Sequence, residues 1–291
     1  MNILITGGSG FIGRSLCEQL SKVEGYKIFC PSSKELNLLD ELCSKIYIAN
    51  RKINVVIHAA TWNATKNTEK DSTKVLENNL RMFYNLIKCQ HLYEKMVYYG
   101  SGAEFNREMI PSKVNDYESL YIPEDQYGFS KYIMNQATEK YLKNVTNLRL
   151  FGCYGKYEDW KIRFISVACI KAINNLPITI NQDVMFDYLY IDDLVNITKI
   201  FIDNDMPQKS YNICTSDPIS LLELACKVRR IAKKNIDIKI LNPKFGREYR
   251  GDNSLLMSQI KYDFTPIDEG ISKLYNYYVE NSDKFNPTLI Y

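Results

Sequence analysis

Three tyrosines in this sequence stand four residues before a lysine: Tyr84 with Lys88, Tyr127 with Lys131 and Tyr157 with Lys161. Residues four apart share one face of a helix, so the ammonium can lie near the phenol. A nearby positive charge favours the phenolate and lowers the tyrosine pKa towards working pH. Such a phenol can give a proton to a carbonyl oxygen or take one from an alcohol. In a chain with 22 tyrosines the spacing alone means little, and placement has to separate the three pairs. Tyr84 lies inside an apolar helical stretch, as core and interface residues do. Tyr157 falls in a loop after the fifth strand-like run. Tyr127 opens a helical pattern just before that run and follows Ser101, which ends the fourth. A Ser101 hydroxyl would hydrogen-bond the same oxygen as charge develops on it. The bland alternative is an exposed tyrosine–lysine pair on a surface helix.

These residues need a scaffold to meet. Strand-like runs fall at Asn2–Thr6, Tyr26–Cys30, Asn54–His58, Lys95–Gly100 and Thr146–Phe151, with helical patterns near 11–23, 40–51, 72–91 and 127–143. Alternation at this spacing predicts an α/β fold, a doubly wound parallel sheet with right-handed crossovers. After Gly152 the rhythm changes. Helical stretches near 161–174, 192–202, 220–233 and 270–283 alternate with the short runs Ile178–Ile180, Asp187–Ile191 and Tyr211–Cys214. Residues 1–152 are expected to form a Rossmann dinucleotide domain, with returning segments near 186–214. Residues 153–185 and 215–291 are expected to form a smaller substrate lobe.

The first strand runs into Gly7-Gly-Ser-Gly10-Phe11-Ile12-Gly13 at the start of a helix. Glycines there permit a tight turn, close approach to a pyrophosphate and close helix–strand contact. The helix N-terminus then offers N–H groups to phosphates. The string is weak alone and strong in this position, between a strand and a helix.

Composition excludes several classes. With 45% hydrophobic and 24% charged residues the chain is globular rather than disordered. A net charge of +3 implies no nucleic-acid or membrane partner. No apolar run is long enough for a bilayer, and no leader-like segment precedes the first strand. Two histidines make a zinc site or a Ser–His–Asp triad a poor expectation, so no metal is assigned. Eight cysteines without a CxxC pair read as mostly buried thiols and point to the cytoplasm.

The glycine string with Phe11-Ile12 before its last glycine, together with Ser101, Tyr127 and Lys131, resembles the extended short-chain dehydrogenase/reductases. These are the nucleotide-sugar epimerases, dehydratases and reductases. The resemblance implies that Lys131 also contacts the nicotinamide ribose. It places the backbone of His58-Ala59-Ala60 beneath the cofactor, Asn79 near the nicotinamide and Trp62 near the mouth of the site. His58 itself is read first as a strand-end histidine, not a ligand or base. A homodimer through the helices near 72–91 and 127–143 is implied by the same likeness.

NAD enzymes of this kind carry an acid at the end of the second strand for the ribose hydroxyls. Here the stretch is Cys30-Pro31-Ser32-Ser33-Lys34, and Ser32, Ser33 and Lys34, with Arg14, are candidates for a 2′-phosphate. The run Glu35-Leu36-Asn37-Leu38-Leu39-Asp40 resembles NADPH-using sugar reductases of the GDP-fucose synthase kind, and Leu38 is assigned to the cofactor with it. NADP(H) is therefore preferred and NAD(H) stays open.

The likeness also narrows the reaction. Sugar dehydratases follow the active serine or threonine with an Asp-Glu pair. Here Gly102-Ala103 follow Ser101, and Glu104 comes one place late. Epimerase–reductases use a cysteine where Ala103 stands and a later histidine, and no histidine follows His91. What remains is reduction of a 4-keto nucleotide sugar for surface polysaccharide, or a 4-epimerisation on bound NAD. Gly102, Ala103, Glu104, Trp62, Arg163 and Arg250 are the substrate candidates, the arginines for a diphosphate. Asp192 and Asp193 are expected to cap the helix they precede.

Overall fold

The protein is described by a computed structural model covering residues 1–62, 70–105 and 122–290. Its centre is a six-stranded sheet in the order β10-β5-β4-β3-β1-β2. The strands are β1 (Asn2–Thr6), β2 (Lys27–Phe29), β3 (Val55–His58), β4 (Lys95–Ser101), β5 (Val145–Leu150) and β10 (Ser210–Ile213). Every pairing among them is parallel. Both faces are covered, which is why β1 and β3 read as unbroken apolar runs rather than as alternating ones.

Alternate residues go to opposite faces. Ile3, Ile5, Val55, Ile57, Val97 and Tyr99 join one core with Leu16 and Leu20. Leu4, Val56, Met96 and Tyr98 join the other with Ile48, Phe83, Leu86 and Met134. The helices on the first face are α1 (Phe11–Leu20) and α6 (Ile191–Asp203); on the second lie α2 (Glu41–Arg51), α3 (Val75–Ile87) and α4 (Gln126–Lys140).

The remaining elements form small pairs and a helical cluster. Strand β6 (Gly152–Tyr154) pairs with β9 (Tyr188–Tyr190), β7 (Ile178–Gln182) with β12 (Ile238–Asn242), and β8 (Met185–Phe186) with β11 (Ile219–Ser220). Helices α5 (Phe164–Ile173), α7 (Leu221–Ala232) and α9 (Ile267–Glu280) pack on one another, and α8 (Ser254–Gln259) rests on β10. Among the described residues no helix is long and apolar enough to cross a membrane.

The chain leaves β1 for β2 on one side and reaches β3 on the other, so the sheet order reverses at the carboxyl end of β1. Ligands of doubly wound sheets sit in the crevice at that point. The glycine string begins there.

Two sequence expectations change. Asp192 and Asp193 do not cap α6: its N-cap is Tyr190, and both acids lie in the first turn. Asp193 accepts from Thr265 N, Thr265 Oγ1 and the Tyr262 hydroxyl, and Asp192 accepts from Gln19, so they tie α6 to the C-terminal segment and to α1. Cys17 and Cys30 are not free thiols: they form a disulfide between α1 and the end of β2.

Candidate active site

The glycines at the crevice are sterically required. Gly7 has a φ of +72°, and a Cβ there would stand 2.7 Å from Ala60 N. A Cβ on Gly13 would come within 2.1 Å of Gly7 O. Gly10 caps α1 without a side-chain hydrogen bond, which leaves the first-turn N–H groups of Phe11, Ile12 and Gly13 to a ligand's phosphates.

The ends of β1 and β3 are locked together beneath this loop. Ala60 N donates to Thr6 Oγ1, and Thr6 Oγ1 lies 2.8 Å from His58 Nδ1. With Thr6 donating, Nδ1 of His58 is an acceptor and its proton sits on Nε2. Burial, followed by the Lys131 charge, pushes His58 down to about 3. It is a neutral strand-end residue, as read from the sequence. Ala59 and Ala60 pass their backbone against Gly7.

Asn79, on α3, accepts at Oδ1 from Trp62 N (2.7 Å) and from Thr61 Oγ1 (3.2 Å). Its buried Nδ2 has no partner among the described residues. An amide donor left orphaned beside the crevice fits a nicotinamide cofactor, since buried donors otherwise find acceptors. Trp62 donates its indole N–H to Asp71 O and lies under Lys70.

The catalytic candidates come together through one tight contact. Strand β4 ends in Ser101, and Gly102–Glu104 form a single 3₁₀ turn. Ala103 N donates to Ser101 Oγ (3.1 Å), and Ser101 N donates to Glu104 Oε1 (3.1 Å). Helix α4 packs on this turn at Gly128, where a Cβ would meet Ala103 O at 2.6 Å. Asp125 caps the helix by accepting from Gly128 N (2.8 Å). Tyr127, one residue before that glycine, is thereby set beside Ser101.

The electrostatics differ from the sequence expectation. Lys131 Nζ donates to Tyr99 O (2.7 Å) and stands 5.7 Å from the Tyr127 ring centroid. The Tyr127 phenol is raised, not lowered, chiefly by desolvation; the Ser101 hydroxyl pulls it down and the Glu104 charge pushes it up. Lys131 itself falls to about 8 because it is buried, with Glu104 opposing the shift. Tyr127 is therefore a protonated phenol at neutral pH, the form a general acid needs.

Glu104 is a second correction. Its carboxylate is buried, with Oε2 2.9 Å from Arg149 Nε and both side chains fully covered. Asn147 Nδ2 donates to both of its oxygens (3.1 and 3.2 Å), and Arg149 Nη1 donates to Asn212 (2.6 Å). Glu104 faces this network and not the crevice. Ala103 is buried too, and Gly102 lies against the Phe151 ring and the Tyr249 hydroxyl. The sequence reading missed Arg149, and the signal was a lone arginine inside an apolar strand.

The other candidates are scattered. Arg163 caps α5 and its charge reaches Tyr127. Arg250 is ion-paired with Glu248 at 2.8 Å. Ser32 donates its backbone N–H (2.8 Å) and hydroxyl (2.9 Å) to Glu35, while Ser33 and Lys34 are exposed. Arg14 is not at this loop: its guanidinium covers the Tyr157 ring at 3.8 Å. Leu38 is buried in the core, with its carbonyl accepting from Asn85.

Residues 3–214 match the family described as the NAD dependent epimerase/dehydratase family. The chain belongs to that family. It is similar to the dTDP-4-dehydro-6-deoxyglucose reductase of Escherichia coli, 27% identical over 76% of this chain and 79% of that one. The ADP-L-glycero-D-manno-heptose-6-epimerase of Brachyspira hyodysenteriae is 26% identical over 79% of this chain and 81% of its own. Among solved structures, the NADP-bound GDP-mannoheptose C4 reductase of Campylobacter jejuni superposes with a TM-score of 0.81 at 20% identity, covering 96% of this chain and 98% of that one. The relatives are nucleotide-sugar oxidoreductases, epimerases and dehydratases that use a nicotinamide cofactor, and the neighbours share the Rossmann fold.

Proposed function

We propose that this chain reduces the 4-keto group of a nucleotide-linked deoxysugar, with NADPH as hydride donor, in the synthesis of surface polysaccharide sugars. One observation carries the reading: a protonated Tyr127 stands beside Ser101, while Glu104, the carboxylate of the turn that follows Ser101, is locked onto Arg149. That set serves carbonyl reduction, and Glu104, held by Arg149, is not free to eliminate water at the adjoining carbons.

The cofactor, when bound, supplies hydride to the carbonyl carbon. Tyr127 gives its phenolic proton to the carbonyl oxygen, which becomes the product hydroxyl. Ser101 donates a hydrogen bond to the same oxygen as it gains charge. The Lys131 ammonium stabilises the phenolate left behind until water returns the proton. Gly7, Gly10, Phe11, Ile12 and Gly13 hold the pyrophosphate, and Asn79 offers its amide to the nicotinamide end. Trp62, Arg163 and Arg250 face the nucleotide sugar, the arginines taking its diphosphate after Arg250 leaves Glu248.

The names of relatives support this: one reduces a 4-dehydro-6-deoxyglucose carried on dTDP and a structural neighbour is a C4 reductase. A homodimer through α3 and α4, acting in the cytoplasm, completes the reading. A second reading, an NAD-dependent 4-epimerase, is favoured by Glu35, whose carboxylate in the turn after β2 suits ribose hydroxyls better than a phosphate.

The test is analysis of freshly purified protein for retained dinucleotide, then titration with NADPH and NADH. Empty protein that prefers NADPH supports the reductase. NAD that stays bound through gel filtration supports the epimerase, which regenerates its cofactor each turn.

A further inference from the structure

The disulfide adds a covalent tie between two parts of the dinucleotide site that are otherwise held together by the β1–β2 ladder and the packing of α1 on β2. Cys17 lies in the second turn of α1, directly after the glycine string, and Cys30 follows β2 at the start of the Pro31–Lys34 loop. The pair is separated by 13 residues, with Cα atoms 6.5 Å apart. Gly8 rests on it: a Cβ at Gly8 would stand 3.0 Å from Cys30 Cβ and 3.2 Å from Cys17 Sγ. Strand β2 has three residues, sits at the edge of the sheet and pairs only with β1 in that sheet. The ladder ends at Phe29, and beyond it the bridge fixes the start of the loop that must meet the adenosine ribose relative to the glycine string.

Cys30 is exposed and Cys17 half-buried, so solvent oxidants and reductants reach the pair. Disulfides in a reducing compartment are usually transient and redox-sensing. We propose that Cys17 and Cys30 are a reversible thiol–disulfide switch that sets the affinity of the chain for its dinucleotide, with the oxidised form binding more tightly.

With hydrogen peroxide as oxidant, the exposed Cys30 thiolate attacks one peroxide oxygen and the O–O bond breaks. Cys30 becomes a sulfenic acid and hydroxide leaves. The Cys17 thiolate then attacks the Cys30 sulfur, the S–S bond forms and a second hydroxide leaves. With the two thiol protons the sum is two thiols and one peroxide giving one disulfide and two waters. A dithiol reverses the change by exchange. Bridged, the loop is ordered before the cofactor arrives; reduced, it must be ordered during binding, which weakens affinity.

The experiment compares full-length protein treated with peroxide and with a phosphine reductant, using intact mass to read the loss of two hydrogens and fluorescence titration with NADPH and NADH to read Kd. The expected result is a Kd roughly three- to tenfold higher after reduction, the scale of ordering a short segment on binding. Cys17→Ser and Cys30→Ser should each bind like the reduced protein and ignore both reagents, although six other cysteines remain. Equal Kd values for the two forms, a redox response that survives in both serine variants, or no two-hydrogen difference in mass between the reduced and the peroxide-treated protein would each overturn the proposal. These readouts stand apart from turnover, so failure of the 4-ketoreductase reading leaves them interpretable.

Discussion

Tyr127 is the residue on which the chemistry turns, and burial has set its proton affinity more strongly than the lysine one helical turn away. Removing its hydroxyl in Tyr127→Phe should lower kcat by about 10²- to 10⁴-fold, the range for a lost general acid, in assays of NADPH oxidation. A loss under about tenfold would move the proton donor elsewhere. The pH profile follows from Lys131, whose pKa is depressed to about 8 by burial. Its ammonium is present below that value and lost as pH rises through it, so kcat/KM should be level near neutrality and decline with an apparent pKa close to 8. His58, held near 3, contributes no step in that range. An activity that climbs through pH 8 would contradict the role given to Lys131. At this scale the sequence was legible for where Gly7, Gly13 and Ser101 sit, at or just after strand ends, and for Tyr127 and Lys131 in the first turns of a helix. It assigned Glu104 to the substrate and gave Glu35 no partner. Both carboxylates take their roles from partners that only the fold brings near: Arg149 on the neighbouring strand for one, a local turn at Ser32 for the other.

The elements place these groups through close backbone contacts, and the one that positions Tyr127 lies between α4 and the Gly102–Glu104 turn. A methyl group at Gly128 would stand 2.6 Å from Ala103 O, against backbone that cannot move aside cheaply. Gly128→Ala should therefore push α4 outward and carry Tyr127 away from Ser101. The expected outcome is a kcat reduced by at least about tenfold, since small misplacements at a reacting centre are costly. A variant with unchanged kcat would show that this contact does not position the tyrosine. The five strand-like runs and four helices of the first half were legible to within a few residues, because a two-sided sheet writes itself as apolar runs separated by amphipathic helices. Strands β6, β8, β11 and β12 were not foreseen. They are two to five residues long and owe their pairing to distant partners such as β9 and β7, so local pattern carries no trace of them.

At the scale of the whole molecule, a buried carboxyl ties stability to pH. Glu158 is covered by the α5–α9 cluster, accepts from Ser166 Oγ, and is raised by burial from an ordinary 4.5 to about 8. A carboxyl whose folded pKa is raised contributes full stability below its unfolded pKa and loses it as pH climbs through the folded value. Stability should thus decline from pH 4.5 towards pH 8 through this residue. Glu158→Gln keeps the acceptor and cannot ionise, so its Tm should fall less over that window and exceed wild type at alkaline pH. Parallel Tm curves would refute this. The central claim, net reduction of a 4-keto nucleotide sugar, is tested most directly by stoichiometry. Purified protein, NADPH and 4-keto sugars carried on GDP, dTDP, CDP and UDP would be followed to completion, counting cofactor oxidised against hydroxyl formed. One NADPH consumed per alcohol produced is the expected result. A sugar isomer that accumulates with no net oxidation of cofactor would contradict it and make the chain an epimerase.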